Sequence, residues 1–267
     1  MRISFMTFAC PAWGLDEVLR VGARLGYDGV EPRLDSGHGH GVEVDLSPDC
    51  RRRVREQFAE SGVAVGCLAT SLQFIAIEPE QRTALLEATR ARLELAAELG
   101  CPGLRVFAGG VPQGVELDEA LDAAADNLRA AGDIAGALGV ELWLETHDTV
   151  SRAELCARVV RSADHPSVWV NYDVMHPARL GEPLEATFDH LDGLVRHAHW
   201  HDARLDPKNV AITRFGEGEM PLAPIIDWLR GQAFTGYLSG EWFEQQLGQD
   251  SDESLAHYAE ATRALLA

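Results

Sequence analysis

The sequence contains no apolar run approaching the roughly 20 residues that span a bilayer, so no membrane-spanning helix is expected. Its opening, Met1-Arg2-Ile3-Ser4-Phe5, reads as a strand. It lacks the charged region, long apolar stretch and small-residue cleavage site of a secretory signal. Paired cysteines are missing too. Cys10, Cys50, Cys67, Cys101 and Cys156 are scattered, odd in number and never spaced Cys-x-x-Cys, which argues against a disulfide framework or a cysteine zinc site. These absences together predict a cytoplasmic protein in a reducing compartment. Basic charge is in deficit: the net charge is -19, so polyanions are repelled on average and nucleic acid is not an expected partner. No Gly-x-Gly-x-x-Gly turn follows the first strand, which counts against an open doubly wound sheet. No long linker or low-complexity stretch divides the chain, and one domain over residues 1–267 is expected.

What the chain does contain is a repeated unit: an amphipathic helix, a Leu-Gly or similar stop, then a short apolar strand. Leu25-Gly26, Ser61-Gly62, Leu99-Gly100 and Leu138-Gly139 each precede such a strand. Leu85, Leu86, Leu93, Leu95 and Ala96 fall at helical spacing between Glu80 and Leu99, as do Leu121, Ala124, Leu128 and Ala131 between Asp118 and Leu138. Strands are predicted at Ile3–Phe8, Gly29–Glu31, Val63–Leu68, Leu104–Phe107, Val140–Glu145, Val168–Asp173, Leu194–His199 and Tyr237–Glu241. They are continuous apolar runs, as in a parallel sheet covered by helices. Eight such βα units predict a single (β/α)8 TIM barrel. Long βα loops are expected at residues 35–41 and 202–219.

Four of these strands end in a group that binds metals: Glu145, Asp173, His199 and Glu241. A TIM barrel puts its chemistry at the carboxyl ends of its strands, so the four converge on one mouth. Three carboxylates and one imidazole suit one divalent ion, manganese first, with magnesium, cobalt or zinc as alternatives. His197 shares a strand face with His199 and is the rival ligand, or else a buried hydrogen-bonded residue. His147 and His201 lie just past their strands, where they can touch substrate. Arg33, at the end of the second strand, is placed to bind a phosphate or carboxylate, with Arg105 as a weaker rival. Glu217, in a glycine-rich turn, is a further substrate contact. The Gly37-His38-Gly39-His40-Gly41 tract reads as a flexible exposed loop or a lid with glycine hinges. Trp13, Trp200 and Trp242 lie near strand mouths, where aromatic faces suit a sugar ring.

The motifs Leu144-Glu145-Thr146-His147, Asp173-Val174-Met175-His176, His197-Ala198-His199-Trp200-His201-Asp202, Gly216-Glu217-Gly218-Glu219 and Gly236 to Glu241 occur in an order that resembles the xylose isomerase-like barrel superfamily, in particular its sugar phosphate isomerase/epimerase group. That group shares its barrel with ketose 3-epimerases, inosose-processing enzymes and endonuclease IV. The resemblance implies Glu145, Asp173, His199 and Glu241 as ligands of a single metal, Glu145 and Glu241 as acid and base, and His176 as a substrate contact. It also implies a dimer or tetramer. The expected function is a metal-dependent isomerase or epimerase of a sugar or related polyol, working through an enediolate on a small-molecule carbohydrate. The alternative is a metal-dependent lyase or dehydratase on a keto-sugar, cyclitol or 3-keto-glycoside. An abasic-site endonuclease ranks last. The DNA-repair branch takes extra histidines after strands three and four and an Asp-x-His in the seventh loop. Here those places read Leu68-Ala69-Thr70-Ser71, Val106-Phe107-Ala108-Gly109-Gly110 and Leu205-Asp206-Pro207-Lys208-Asn209.

Overall fold

In the computed structural model of the protein, which describes residues 1–248 and 250–267, the glycine stops fall at the ends of helices. Leu15–Leu25, Pro48–Ser61, Pro79–Leu99 and Leu117–Leu138 are capped by Gly26, Gly62, Gly100 and Gly139, all left-handed at φ between 69° and 72°. A residue without Cβ takes that conformation at little cost, so each helix turns sharply into the next strand.

The barrel strands are β1 (Arg2–Met6), β2 (Gly29–Glu31), β3 (in two pieces, Ala64–Val65 and Leu68–Gln73), β4 (Gly103–Phe107), β5 (Glu141–Glu145), β6 (Val168–Asp173), β7 (Val195–Trp200) and β8 (Tyr237–Gly240). The nine segments pair in the order β3, β2, β1, β8, β7, β6, β5, β4, β3 and every pairing is parallel. The two ends of this row are the two pieces of one strand. Ala69 completes the ring, donating its N–H to Pro32 O (3.0 Å) and accepting from Leu34 N (2.8 Å). The result is an eight-stranded TIM barrel.

Three expectations differ in detail. The strand predicted at 63–68 is interrupted at Gly66-Cys67 and runs on to Gln73, because its first piece pairs with β2 and its second with β4. The first strand stops at Met6, and Thr7–Ala9 forms a 3-10 turn. Residues 202–219 are not an open loop. They begin with an antiparallel hairpin, Asp202–Arg204 against Ala211–Thr213. No described helix is long and apolar enough to cross a membrane.

The helix-facing side of the strands is apolar, with Leu142, Leu144, Val170, Ala198 and Leu238 buried. The interior is polar and holds the rings of Trp143 and Tyr237 around His197. Trp143 stacks on His197 with ring centroids 5.1 Å apart and planes 12° from parallel, and its Nε1 donates to Glu141 Oε2 (2.7 Å). Gly103 on the neighbouring strand leaves room for that ring: a Cβ there would lie 2.5 Å from Trp143 Cζ2. Trp143 is held on both sides and cannot yield. Gly103→Ala is therefore expected to cost about 1–3 kcal/mol of stability, seen as a lower urea midpoint with an unchanged slope.

Candidate functional site

Parallel pairing sets the heights of the side chains at the mouth. Glu145 is in register with Asn171, Asn171 with His197, and Asp173 with His199, which faces Ser239 on the other side. Side chains alternate along a strand, so the i, i+2 pairs Asn171/Asp173 and His197/His199 share the inner face, and all four are buried. Glu241 follows the last residue of β8. One ligand atom from each of Glu145, Asp173, His199 and Glu241 lies within 4.8 Å of the other three. His199 joins the group to the barrel floor. Its Nδ1 is 2.8 Å from Glu145 Oε1 and 2.9 Å from Glu241 Oε2, and its Nε2 is 3.1 Å from Glu31 Oε1.

Glu31 is the residue that sequence reading missed. It ends β2 as Glu145 ends β5, but the strand is three residues long and Arg33 drew the inference instead. Glu31 is fully buried and gathers three partners: His199 Nε2, His197 Nε2 (2.9 Å) and the Ser239 hydroxyl, which donates at 2.6 Å. Burial opposes its ionisation, yet His199 and His197 hold its carboxyl well below the usual carboxylate range. His197, meanwhile, is a fully buried ring between Trp143 and Glu31, and burial keeps it below its ordinary pKa.

The other side chains of the site are charged from several directions. Burial resists the ionisation of Glu145, but His199 and Arg105 outweigh it and bring its pKa down to about 2. Arg105, itself buried, has Nε 3.3 Å from Glu145 Oε2. Asp173 Oδ1 accepts the backbone N–H groups of Met175 (2.8 Å) and His176 (3.2 Å) and lies 3.3 Å from His201 Nε2. It is held low against burial chiefly by His201 and His176. His176 Nδ1 accepts from Arg179 Nε (3.0 Å), so in the neutral ring the proton sits on Nε2, 3.8 Å from Asp173 Oδ2. His147 meets Asp148 at 2.7 Å. Burial lowers its pKa, but the bond to Asp148 and the charge of Glu145 prevail and raise it to about 9.

A cavity of about 310 Å³ opens over this group. Arg33, Arg105, His147, Asp173, His176, His201, Glu241 and Trp242 line it. Glu217 does not reach it. The Asp202 carboxylate accepts from the backbone N–H groups of Ala203, Gly216, Gly218 and Met220, at 2.9, 2.9, 3.0 and 3.2 Å, and so winds the glycine-rich turn around itself. Glu217 is left exposed on the outside of that turn. The His38–His40 tract does not line the cavity either, nor is it an open loop. His40 is buried, His38 Nδ1 lies 3.2 Å from Thr7 Oγ1, and a Cβ at Gly39 would fall 2.5 Å from Ala12 O. Trp200 is fully buried, 6.2 Å from Phe215, away from the cavity.

The depressed pKa of Glu145 has a measurable consequence. A carboxylate whose pKa falls on folding adds stability above its unfolded value, about 4.5, and loses it as pH falls toward its folded value, about 2. Urea melts of the metal-free protein at about pH 5 and pH 3 should show a steeper loss for the natural chain than for Glu145→Gln. Equal losses would contradict the Arg105–Glu145–His199 account.

Comparison with known proteins follows the same lines. The xylose isomerase-like TIM barrel family matches residues 19–265. A 2-oxo-tetronate isomerase from Haemophilus influenzae is 27% identical over 157 residues, 56% of this chain and 58% of that protein, so the match spans little more than half of the relative. Among solved structures, an IolI protein with a bound zinc atom superposes with TM-score 0.87 at 19% identity, over 100% of this chain and 98% of its own. A probable 3-DHS dehydratase, AsbF, from Bacillus anthracis gives 0.80 at 16%, over 98% and 99%. An L-ribulose 3-epimerase gives 0.81 at 18%, over 99% and 93%. At these identities the structural likeness speaks for the fold alone. The sequence match over residues 19–265 speaks for descent, and the chain belongs to the xylose isomerase-like TIM barrel family.

Proposed function

We propose that the protein is a divalent-metal-dependent isomerase or epimerase of a sugar or related polyol, moving a proton between carbons by way of its carboxylates. One observation carries the reading: Glu145, Asp173, His199 and Glu241 each offer a ligand atom within 4.8 Å of the others, beside a cavity that Asp173 and Glu241 line. The donor set fits a divalent ion. Three carboxylate oxygens with one imidazole favour manganese, with magnesium, cobalt and zinc as alternatives. His199 fits in detail. With its Nε2–H given to Glu31, the Nδ1 lone pair is left facing Glu145 and Glu241, and a carboxylate behind a ligating histidine orients it and raises its basicity. Glu31, His197 and His199 also lie within 4.8 Å of one another. We read them as that support and not as a second ion site, because both Nε2 atoms already serve Glu31 and none of the three lines the cavity.

A divalent ion bound by the four residues would polarise two neighbouring sugar oxygens and acidify the hydrogen on the carbon beside the carbonyl. Glu145 and Glu241 approach the same point, His199 Nδ1, from two strands. One takes the proton as general base and the other returns one, to the opposite face in epimerisation or to the adjacent carbon in isomerisation. Arg105 helps keep Glu145 ionised and ready to accept. His176, its tautomer fixed by Arg179, offers Nε2–H to a substrate oxygen, and His201 lines the cavity beside Asp173.

A second reading, elimination of water from a keto-sugar or cyclitol, is favoured by His147. Its ring lines the cavity, is paired with Asp148 and is protonated at neutral pH, as a leaving oxygen would need. Product mass separates the two readings: isomerisation conserves it and dehydration loses a water. The endonuclease reading has less support. Among the described residues neither candidate metal group takes a member from β3 or β4.

The purified protein should hold about one divalent ion per chain. Glu145→Gln and Glu241→Gln should each slow solvent-deuterium exchange into a sugar substrate by about 10²–10⁴-fold. Exchange at the natural rate in either variant would refute the assigned roles. Glu31→Gln should weaken metal binding by about 10–100-fold without emptying the cavity of its other ligands, as read by competition with a metal-sensitive dye. Unchanged affinity would show that Glu31 does not support His199.

A further inference from the structure

We infer that Arg179 is a positioning residue that ties the hairpin in the cavity wall to His176, so that the seat of the hairpin and the proton of the His176 ring are set together. That His176 meets substrate belongs to the isomerase or epimerase reading, on which the inference rests. The tie adds what holds that histidine, and the wall beside it, in place.

Arg179 bonds two parts of the chain at once. It ends the short helix Met175–Arg179, three residues after His176, so the two side chains share a helix face. Its Nε donates to His176 Nδ1 (3.0 Å), and its Nη1 donates to the carbonyl of Pro207 (3.0 Å). Pro207 lies in the tip, residues 205–210, that joins the two hairpin strands. The tip is shaped from within: Asp206 accepts from Lys208 N and from Asn209 Nδ2, both at 2.8 Å. Leu205 N donates to Glu219 Oε2 (2.9 Å), a partner inside the same 202–219 loop. Among the described residues, the bond from Arg179 to Pro207 is the one hydrogen bond that fastens residues 204–213 to the chain outside that loop.

The hairpin contributes Val210 and Ile212 to the cavity wall. Val210 is 49% exposed, so packing holds that end of the hairpin loosely and the bond to Arg179 matters more. The other end of the guanidinium acts on His176. Arginine has no acceptor, so its Nε bond requires a bare Nδ1 and leaves the proton of the neutral ring on Nε2. His147 packs edge-on against the same ring, with centroids 4.4 Å apart. That contact confines the ring but does not choose its proton, and the choice falls to Arg179. One planar guanidinium serves both partners, so the orientation that meets Pro207 also aims Nε at His176. A substrate oxygen that accepts from His176 Nε2 favours the same tautomer, and through it the seated hairpin. Binding and seating are then linked, each favouring the other.

Lys208 is the one lysine of the chain and lies exposed in the tip, so endoproteinase Lys-C cuts at a single place and reads how readily the tip lifts. Magnesium-loaded natural protein, Arg179→Met and Asp206→Ala are digested under native conditions, with rates normalised to those of the urea-unfolded chains. Long-range proton–nitrogen spectra of the histidine rings report the tautomer of His176, whose signals are assigned with His176→Gln. Arg179→Met should be cut at least about 10-fold faster than the natural protein, and His176 should show both tautomers in place of one. Asp206→Ala alters the tip alone. It should be cut faster and should shift His176 in the same sense. Natural cutting of Arg179→Met, or an unaltered single tautomer in it, would overturn the inference. Faster cutting of Asp206→Ala with His176 unchanged would overturn it too, since hairpin and histidine would then be independent. Melting temperatures establish that the variants are folded, and Asp206→Ala carries the test if Arg179→Met is not. Neither readout needs turnover, which keeps the two claims apart. Absence of deuterium exchange on any sugar would refute the isomerase reading and leave the tie standing. Natural cutting of Arg179→Met beside Glu145-dependent exchange would refute the tie and leave that reading standing.

Discussion

The imidazole of His199 is bonded on both sides, and the rest of the site depends on that. One nitrogen faces the carboxylates of Glu145 and Glu241, and the other is anchored to Glu31. The arrangement is available only because parallel strands all finish at the same end of the sheet, and because closing the sheet brings β2 across from β5 and β7. An open sheet of the same strands would leave Glu31 far from His199. Closure itself turns on one interrupted strand. The break at Gly66-Cys67 lets the chain pair first with β2 and then with β4, so the same segment seals both edges of the row.

The barrel interior holds several buried ionisable groups. Buried charges are tolerable when they are paired and hydrogen-bonded. Here Glu31 faces two imidazoles and a hydroxyl, Asp173 accepts two backbone N–H groups, and Glu145 lies against Arg105. Replacing such a cluster with apolar side chains is often neutral or stabilising in other proteins. Its presence at the strand mouths, under a cavity, is therefore better explained by chemistry than by stability. Arg33 and Arg105 both border the cavity, and Arg105 lies 3.3 Å from Glu145.

Much of this was legible in the sequence, for identifiable reasons. The helix stops are glycines forced by backbone geometry, and the ends of Val168–Asp173 and Gly29–Glu31 match the apolar runs residue for residue. The placing of His197 with His199 on one face follows from strand alternation. What was not legible depended on contacts distant in sequence. Glu31 is 166 residues from its partner His197 and sits in a strand too short to show a pattern. Glu217 looked like a site residue because of its glycine neighbours. Those glycines instead let the turn fold tightly over Asp202, which points the glutamate outward. The histidine tract at 37–41 looked mobile for the same compositional reason, whereas Gly39 is there for a close approach to Ala12.

The central claim is that one divalent ion sits among Glu145, Asp173, His199 and Glu241, with Glu31 behind the histidine. Anomalous diffraction from crystals grown with manganese tests it most directly. The account predicts a single strong peak at the four strand ends, bonded to His199 through Nδ1, with Nε2 still on Glu31. A peak bonded to Glu31 and His197 instead, or three peaks at the mouth, would contradict it.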